Sequence, residues 1–140
     1  LEIANQYDLL VIEDDPYWHM QYNKDPANPI KSLFSLDTKG RVIRTDSLSK
    51  VLSPGLRLGW VTGPSEIVEK LQLDQQASCL HPCNLSQAVV YEILRKWGPE
   101  GWKMHIARIQ SFYKQRRDTF CSLADQHLTG LAEWTAPDAG

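Results

Sequence analysis

Four consecutive apolar residues, Leu9-Leu10-Val11-Ile12, run directly into acids and a proline turn, Glu13-Asp14-Asp15-Pro16-Tyr17. A short unbroken apolar run with such a stop fits a strand over Asp8 to Glu13 that is buried on both faces, with carboxylates at its carboxyl end. The pattern recurs. A second strand is expected at Arg41-Val42-Ile43-Arg44-Thr45, entered through Asp37-Thr38-Lys39-Gly40 and left through Asp46-Ser47-Leu48-Ser49-Lys50. A third is expected at Leu58-Gly59-Trp60-Val61-Thr62, closed by Gly63-Pro64. The link between the second and third is roughly ten residues and contains Pro54-Gly55, too short for a helical crossover, so the two should be antiparallel or not neighbours.

Elsewhere the periodicity is helical. Leu1 to Tyr7 read as the end of a helix, and Ile67 and Leu71 recur at helical spacing after Pro64. Asn84 is expected to cap a second helix that stops at Gly98, and Pro99 to open a long amphipathic helix through Ile106, Ile109, Phe112, Tyr113, Phe120 and Leu123 to about His127. Gly130 to Trp134 should begin another strand. Residues 19–32 are polar, hold Pro26 and Pro29, and read as a loop. Strands followed by helices, with acids and hydroxyls at strand ends, predict an α/β sheet with a site at its carboxyl edge.

The 140 residues can bury one sizeable core. Fifteen Lys and Arg against 17 Asp and Glu give a net charge of −2, which leaves no basic footprint for nucleic acid. Apolar runs are far below the ~20 residues of a membrane span, so no membrane is expected. Three cysteines, Cys79, Cys83 and Cys121, are an odd count that argues against a disulfide framework and for an intracellular, soluble protein, cytoplasmic or in a mitochondrial matrix. The chain opens without Met inside a helix end and stops just after a new segment starts, which is expected of an interior piece of a longer protein.

Chemistry concentrates in three segments: Asp14-Asp15-Pro16-Tyr17, Asp46-Ser47-Leu48-Ser49-Lys50 and Ser53-Pro54-Gly55-Leu56-Arg57-Leu58-Gly59. Placed at successive strand ends, they bring a carboxylate, a phenol, two hydroxyls, an amine and a guanidinium to a common edge. Pyridoxal phosphate requires such a set: a lysine for its aldehyde, an acid at its ring nitrogen, a donor at its phenolic oxygen and several donors for its phosphate. With these segments, and with Gly63-Pro64, Leu80-His81-Pro82 and Leu128-Thr129-Gly130-Leu131-Ala132-Glu133-Trp134, the sequence resembles the fold-type-I, class I/II aminotransferases, in the branch that acts on kynurenine and 2-aminoadipate.

The resemblance implies roles residue by residue. Lys50 would form the Schiff base with pyridoxal 5′-phosphate and later move the substrate proton. Asp14 would hold the ring nitrogen protonated, and Tyr17 would donate to the phenolic oxygen. Ser47, Ser49 and Arg57 would bind the phosphate, the arginine through a two-pronged fork. Asp15 rivals Asp14, since adjacent residues on an extended segment face opposite sides. The family's three-residue step from acid to tyrosine selects Asp14, and Asp15 reads as a turn carboxylate.

The implied fold is part of the large-domain sheet of the pyridoxal-phosphate-dependent transferases, followed by helices leading into the small C-terminal domain. Residues 1–98 would be the C-terminal part of the cofactor-binding large domain, and 99–140 the interdomain helix and the start of the small domain. The implied activity is transamination between an amino acid of the kynurenine or 2-aminoadipate kind and a 2-oxo acid, in a homodimeric parent; the fragment alone should be inactive. Alternatives are another fold-type-I enzyme, a lyase or decarboxylase, and a non-catalytic aminotransferase-like binding domain of a regulator. Cys79-Leu80-His81-Pro82-Cys83 breaks the usual metal-ligand spacing, so no metal site is expected. The spacing of Gly55, Gly59 and Gly63 does not form a dinucleotide fingerprint. His19, His105 and His127 read as isolated, and Arg116-Arg117 as a solvated helix face.

Overall fold

The computed structural model describes residues 1–22 and 30–140. Helix α1 (Glu2–Gln6) leads into strand β1 (Val11–Asp14), a single 3₁₀ turn (Trp18–Met20), the short helix α2 (Leu33–Leu36) and strand β2 (Val42–Ser47). A second 3₁₀ turn (Pro54–Leu56) precedes strand β3 (Gly59–Thr62), helix α3 (Ser65–Ser78) and helix α4 (Asn84–Leu128). The sheet order is β1-β2-β3. Strands β1 and β2 run parallel, with Asp14 opposite Thr45, and β2 and β3 run antiparallel, with Ser47 opposite Gly59. The short Pro54-Gly55 link thus makes a reversal, the first of the two arrangements left open by its length.

Gly59 has a steric reason. A Cβ at this position would sit 2.7 Å from the carbonyl oxygen of Asp46, so a residue without a side chain lets β3 close on the end of β2. Gly98 breaks α4, with φ 60° and ψ −175°, and Pro99 restarts it, so the helix bends where the two sequence periodicities meet.

The largest cluster of buried apolar residues, Leu48, Val51, Val90 and Ile106, lies under the turn that follows β2. Leu48 and Val51 come from that turn, and Val90 and Ile106 from the two arms of α4. The core therefore anchors the segment that carries Lys50.

Several expectations are corrected. Strand β1 starts at Val11 rather than Asp8 and is not buried on both faces: Ile12 is 72% exposed. It pairs with β2 on one side, and the face bearing Ile12 is uncovered in this segment. Cys83, not Asn84, is the residue before the first turn of α4. Gly130 to Trp134 form no strand; α4 ends, Gly130 takes φ 83°, and the tail meets the rest of the chain through an isolated bridge between Ala139 and Gln21. Those residues meet no neighbouring ladder among the described residues, and a strand is stable only with a partner. In the loop expected at 19–32, residues 23–29, with Pro26 and Pro29, lie outside the described residues, and α2 follows it directly.

Candidate active site

The turn after β2 is built by its own hydroxyl and by the neighbouring strand. Ser47 Oγ accepts from the Ser49 backbone N–H at 3.1 Å, Leu52 N–H donates to the Leu48 carbonyl at 2.8 Å, and Leu48 N–H donates to the Leu58 carbonyl at 3.0 Å. A serine that binds the backbone two residues on is a recognised way to tighten a turn. Below it, His105 of α4 donates from Nε2 to the Val51 carbonyl at 2.6 Å, which requires the proton on that nitrogen. His105 also lies 4.8 Å from the Trp97 ring. It is a turn anchor and not an isolated histidine.

Lys50 projects from this turn into solvent, its Nζ 5.0 Å from the centre of the Tyr17 ring. Among the described residues its amine enters no ion pair. Tyr17 opens the 3₁₀ turn after β1 and is 42% exposed. The phenol expected from β1 and the amine expected from β2 thus share one edge.

Asp14 ends β1, exposed, and accepts a hydrogen bond from Thr45 Oγ1 at 2.7 Å. Asp15 turns the other way, toward Arg44 at 3.8 Å. Burial is the main influence that lifts the Asp15 carboxyl above its ordinary value of 3.8, with Arg44 opposing. The two adjacent acids do face opposite sides.

On Asp15's side lies a compact charge cluster that the sequence reading did not single out. Arg44, 7% exposed, forks onto Asp46 with Nε and Nη2 both at 2.9 Å and meets Glu13 at 3.3 Å. Its guanidinium also sits 5.7 Å from the Trp18 ring centre. Glu13 in turn accepts the Leu33 and Phe34 backbone N–H groups, which caps α2. The signal was available: Glu13, Arg44 and Asp46 share parity once β1 and β2 are set in register.

Arg57 lies just before β3, whose first residue, Gly59, pairs with Ser47 at the end of β2. It takes the left-handed backbone conformation, φ 52° and ψ 43°, and its Nη1 donates to the Pro54 carbonyl at 3.4 Å. A non-glycine residue held there costs of order 1–3 kcal/mol, and such positions cluster at functional sites. Arg57 forms no hydrogen bond to Ser47 or Ser49 among the described residues. Ser47 is engaged in the turn, and Ser49 has its N–H committed to Ser47. Two further readings change. His19 packs edge-on against Trp102 and its carbonyl accepts from Gln110 Nε2 at 2.6 Å. Arg117 is not solvated; it pairs with Asp118, covers the Tyr22 ring at 5.2 Å and donates to the Pro137 carbonyl.

The donor set at this edge fits a phosphorylated pyridine aldehyde. An amine that enters no ion pair among the described residues, an exposed carboxylate with one oxygen held, a phenol and a guanidinium match its four functional groups in kind.

Comparison with known proteins bears on the same residues. The profile of the aminotransferase class I and II family matches residues 1–138. The kynurenine/alpha-aminoadipate aminotransferase of Rattus norvegicus, named as mitochondrial, is 50% identical over 139 residues, covering 99% of this chain and 32% of the rat protein. A Pyrococcus horikoshii kynurenine aminotransferase, solved with PMP, superposes with a TM-score of 0.88 at 34% identity, over 99% of this chain and 33% of that one. LysN, the alpha-aminoadipate aminotransferase of Thermus thermophilus, solved with N-(5′-phosphopyridoxyl)-L-leucine, gives a TM-score of 0.89 at 29% identity, over 99% and 35%. The chain spans about a third of the length of these relatives.

Proposed function

The chain belongs to the class I and II aminotransferases, and from that membership we propose that it is the lysine-bearing segment of a pyridoxal-phosphate-dependent transaminase. The observation that carries the reading is the Lys50 amine beside the Tyr17 ring, on a turn pinned to the core and free of ion pairs among the described residues.

When bound, the cofactor supplies a carbonyl carbon for exchange of amines and a cationic ring that accepts an electron pair. The chain's residues do the rest. Lys50 would hold the cofactor through its amine and would serve as the base at the substrate α-carbon. Asp14 keeps the proton on the ring nitrogen, since an anionic carboxylate favours that charge. Tyr17 would donate a hydrogen bond from its hydroxyl to the ring oxygen. Arg57 grips the phosphate with its fork, and the hydroxyls of Ser47 and Ser49 add neutral donors.

The amino donor is a kynurenine- or 2-aminoadipate-like amino acid and the acceptor a 2-oxo acid, a reading supported by what the rat and archaeal relatives are named for. The parent works as a homodimer in the cytoplasm or a mitochondrial matrix. Among the described residues, no helix is long and apolar enough to cross a membrane. Residues 1–98 form the C-terminal part of the large domain and 99–140 the interdomain helix and start of the small domain, a boundary supported by the break in α4 at Gly98.

The test is reduction of the full-length holoenzyme with borohydride followed by peptide mapping. A pyridoxyl group on Lys50 is expected. Label on Lys24, Lys31 or Lys70 with none on Lys50 overturns the assignment.

A further inference from the structure

Asp14 must satisfy two demands that conflict. It has to be held in one orientation, and its negative charge has to act unopposed on a cationic ring nitrogen. A guanidinium would meet the first and keep the acid ionised, but would set its own positive charge against the ring; Glu13, one residue earlier on the opposite face, has such a partner in Arg44. Across the sheet from Asp14 the register places Thr45, whose Oγ1 lies 2.7 Å from Asp14 Oδ1. A carboxylate can only accept, so the hydroxyl donates.

We infer that Thr45 is a positioning residue: its hydroxyl fixes the Asp14 carboxylate through Oδ1 and leaves Oδ2 to face the cofactor ring. The inference rests on the proposed role of Asp14 and extends it to a residue that touches no substrate or cofactor. Threonine suits the task for three reasons. Its branched Cβ restricts the hydroxyl to few rotamers. Its place on β2 ties Asp14 to the strand that leads into the Lys50 turn. Its neutrality leaves the negative charge on Asp14 undiminished. The other charged groups near this pair, Glu13, Asp15, Arg44 and Asp46, lie on the opposite face of the sheet, while Tyr17 and Lys50 follow β1 and β2 and Arg57 precedes β3.

The experiment compares Thr45→Val, Thr45→Ser and Asp14→Asn in the full-length holoenzyme. Valine keeps the shape and suits a strand; serine restores the hydroxyl. The readouts are the pH midpoint of the bound cofactor's visible absorbance without substrate, and kcat and KM separately. A cationic ring disfavours a proton on the nearby nitrogen that Lys50 contributes, so a poorly held Asp14 raises the midpoint. Thr45→Val is expected to raise it by about half a unit or more, in the same direction as Asp14→Asn, and to lower kcat about tenfold, the scale of one hydrogen bond to a charged group. KM should stay within about twofold, because the lost bond lies on the cofactor side of the site. Thr45→Ser should match the unmodified enzyme.

An unchanged midpoint in Thr45→Val, beside a shifted one in Asp14→Asn, overturns the positioning role alone. Equal shifts in the valine and serine variants also overturn it, since shape and not the hydroxyl would then matter. If Asp14→Asn itself leaves the midpoint and kcat unchanged, the assignment of Asp14 falls and takes this inference with it.

Discussion

Two neighbouring rungs of one strand pair, Glu13 opposite Arg44 and Asp14 opposite Thr45, put carboxylates to opposite uses. The first rung is buried: Glu13 and Arg44 side chains are 12% and 9% exposed, with Asp46 and Asp15 completing the cluster. Its acids have cations and backbone donors as partners, and Asp46 holds Arg44 more firmly protonated than usual. The second rung is open, and its acid meets a neutral hydroxyl. A shift of one residue therefore separates a carboxylate that ties strands and helix together from one that meets a single hydroxyl and is proposed above to face the cofactor ring. The period of two along a strand makes this separation between two adjacent carboxylates.

The comparison breaks most visibly through activity. In the full-length enzyme, Asp14→Asn should leave the cofactor bound and cut transamination by several orders of magnitude, because an amide cannot hold the ring nitrogen as a cation. Asp15→Asn should cost far less. Equal losses in steady-state assays of the two variants would erase the distinction between the faces.

Stability should show the opposite dependence. Arg44→Leu leaves Glu13 and Asp46 buried without their cation, and removal of one partner from such a cluster costs about 3–5 kcal/mol. Urea denaturation of the full-length protein should record that loss, whereas Asp14→Asn and Arg57→Ala should leave the denaturation midpoint near its starting value. A tolerant Arg44→Leu variant would mean that the cluster does not hold β1 to β2.

Arg57→Ala tests the open side by affinity. Losing one charge-assisted fork to phosphate should weaken cofactor binding by about 1.5–3 kcal/mol, roughly ten- to a hundredfold in dissociation constant, with little change in the chemical step. Titration of the apoenzyme with pyridoxal phosphate reads this directly. Unchanged affinity would leave Arg57 with its backbone role in the turn before β3.

The smallest effect concerns pH. Asp15 in the folded protein has its pKa raised above 3.8, chiefly by burial, so the fold holds that proton more tightly than the unfolded chain. Stability from this group is therefore present in acid and lost as pH rises through the folded pKa. Asp15→Asn should raise the thermal midpoint slightly at neutral pH, with the gain shrinking as pH falls toward 4. Thermal melts across that range check the sign.

Much of the fold was legible residue by residue. The acid-terminated apolar run and the turn at Pro54-Gly55 reported β1 and the antiparallel β2 and β3 pair, because strand length and loop length are local quantities. Gly98-Pro99 marked the break in α4 for the same reason. Gly130 to Trp134 misled, since a strand is made by its partner and none stands beside these residues among those described. His19, His105 and Arg117 looked isolated or solvated along the chain, and each acquires its partner from a distant element.

What the sequence by itself determined is the chemical inventory and its order: acid, phenol, hydroxyls, amine and guanidinium, carried on strand ends, with the family they resemble. The tertiary structure decided which of these act together. It set Asp14 against Thr45, sent Asp15 to Arg44, brought Lys50 over Tyr17, and turned Arg57 onto the Pro54 carbonyl. The physical reason is register: the order of residues is written in the chain, but which two strands lie side by side, and in which alignment, is fixed by packing between segments that the chain keeps far apart.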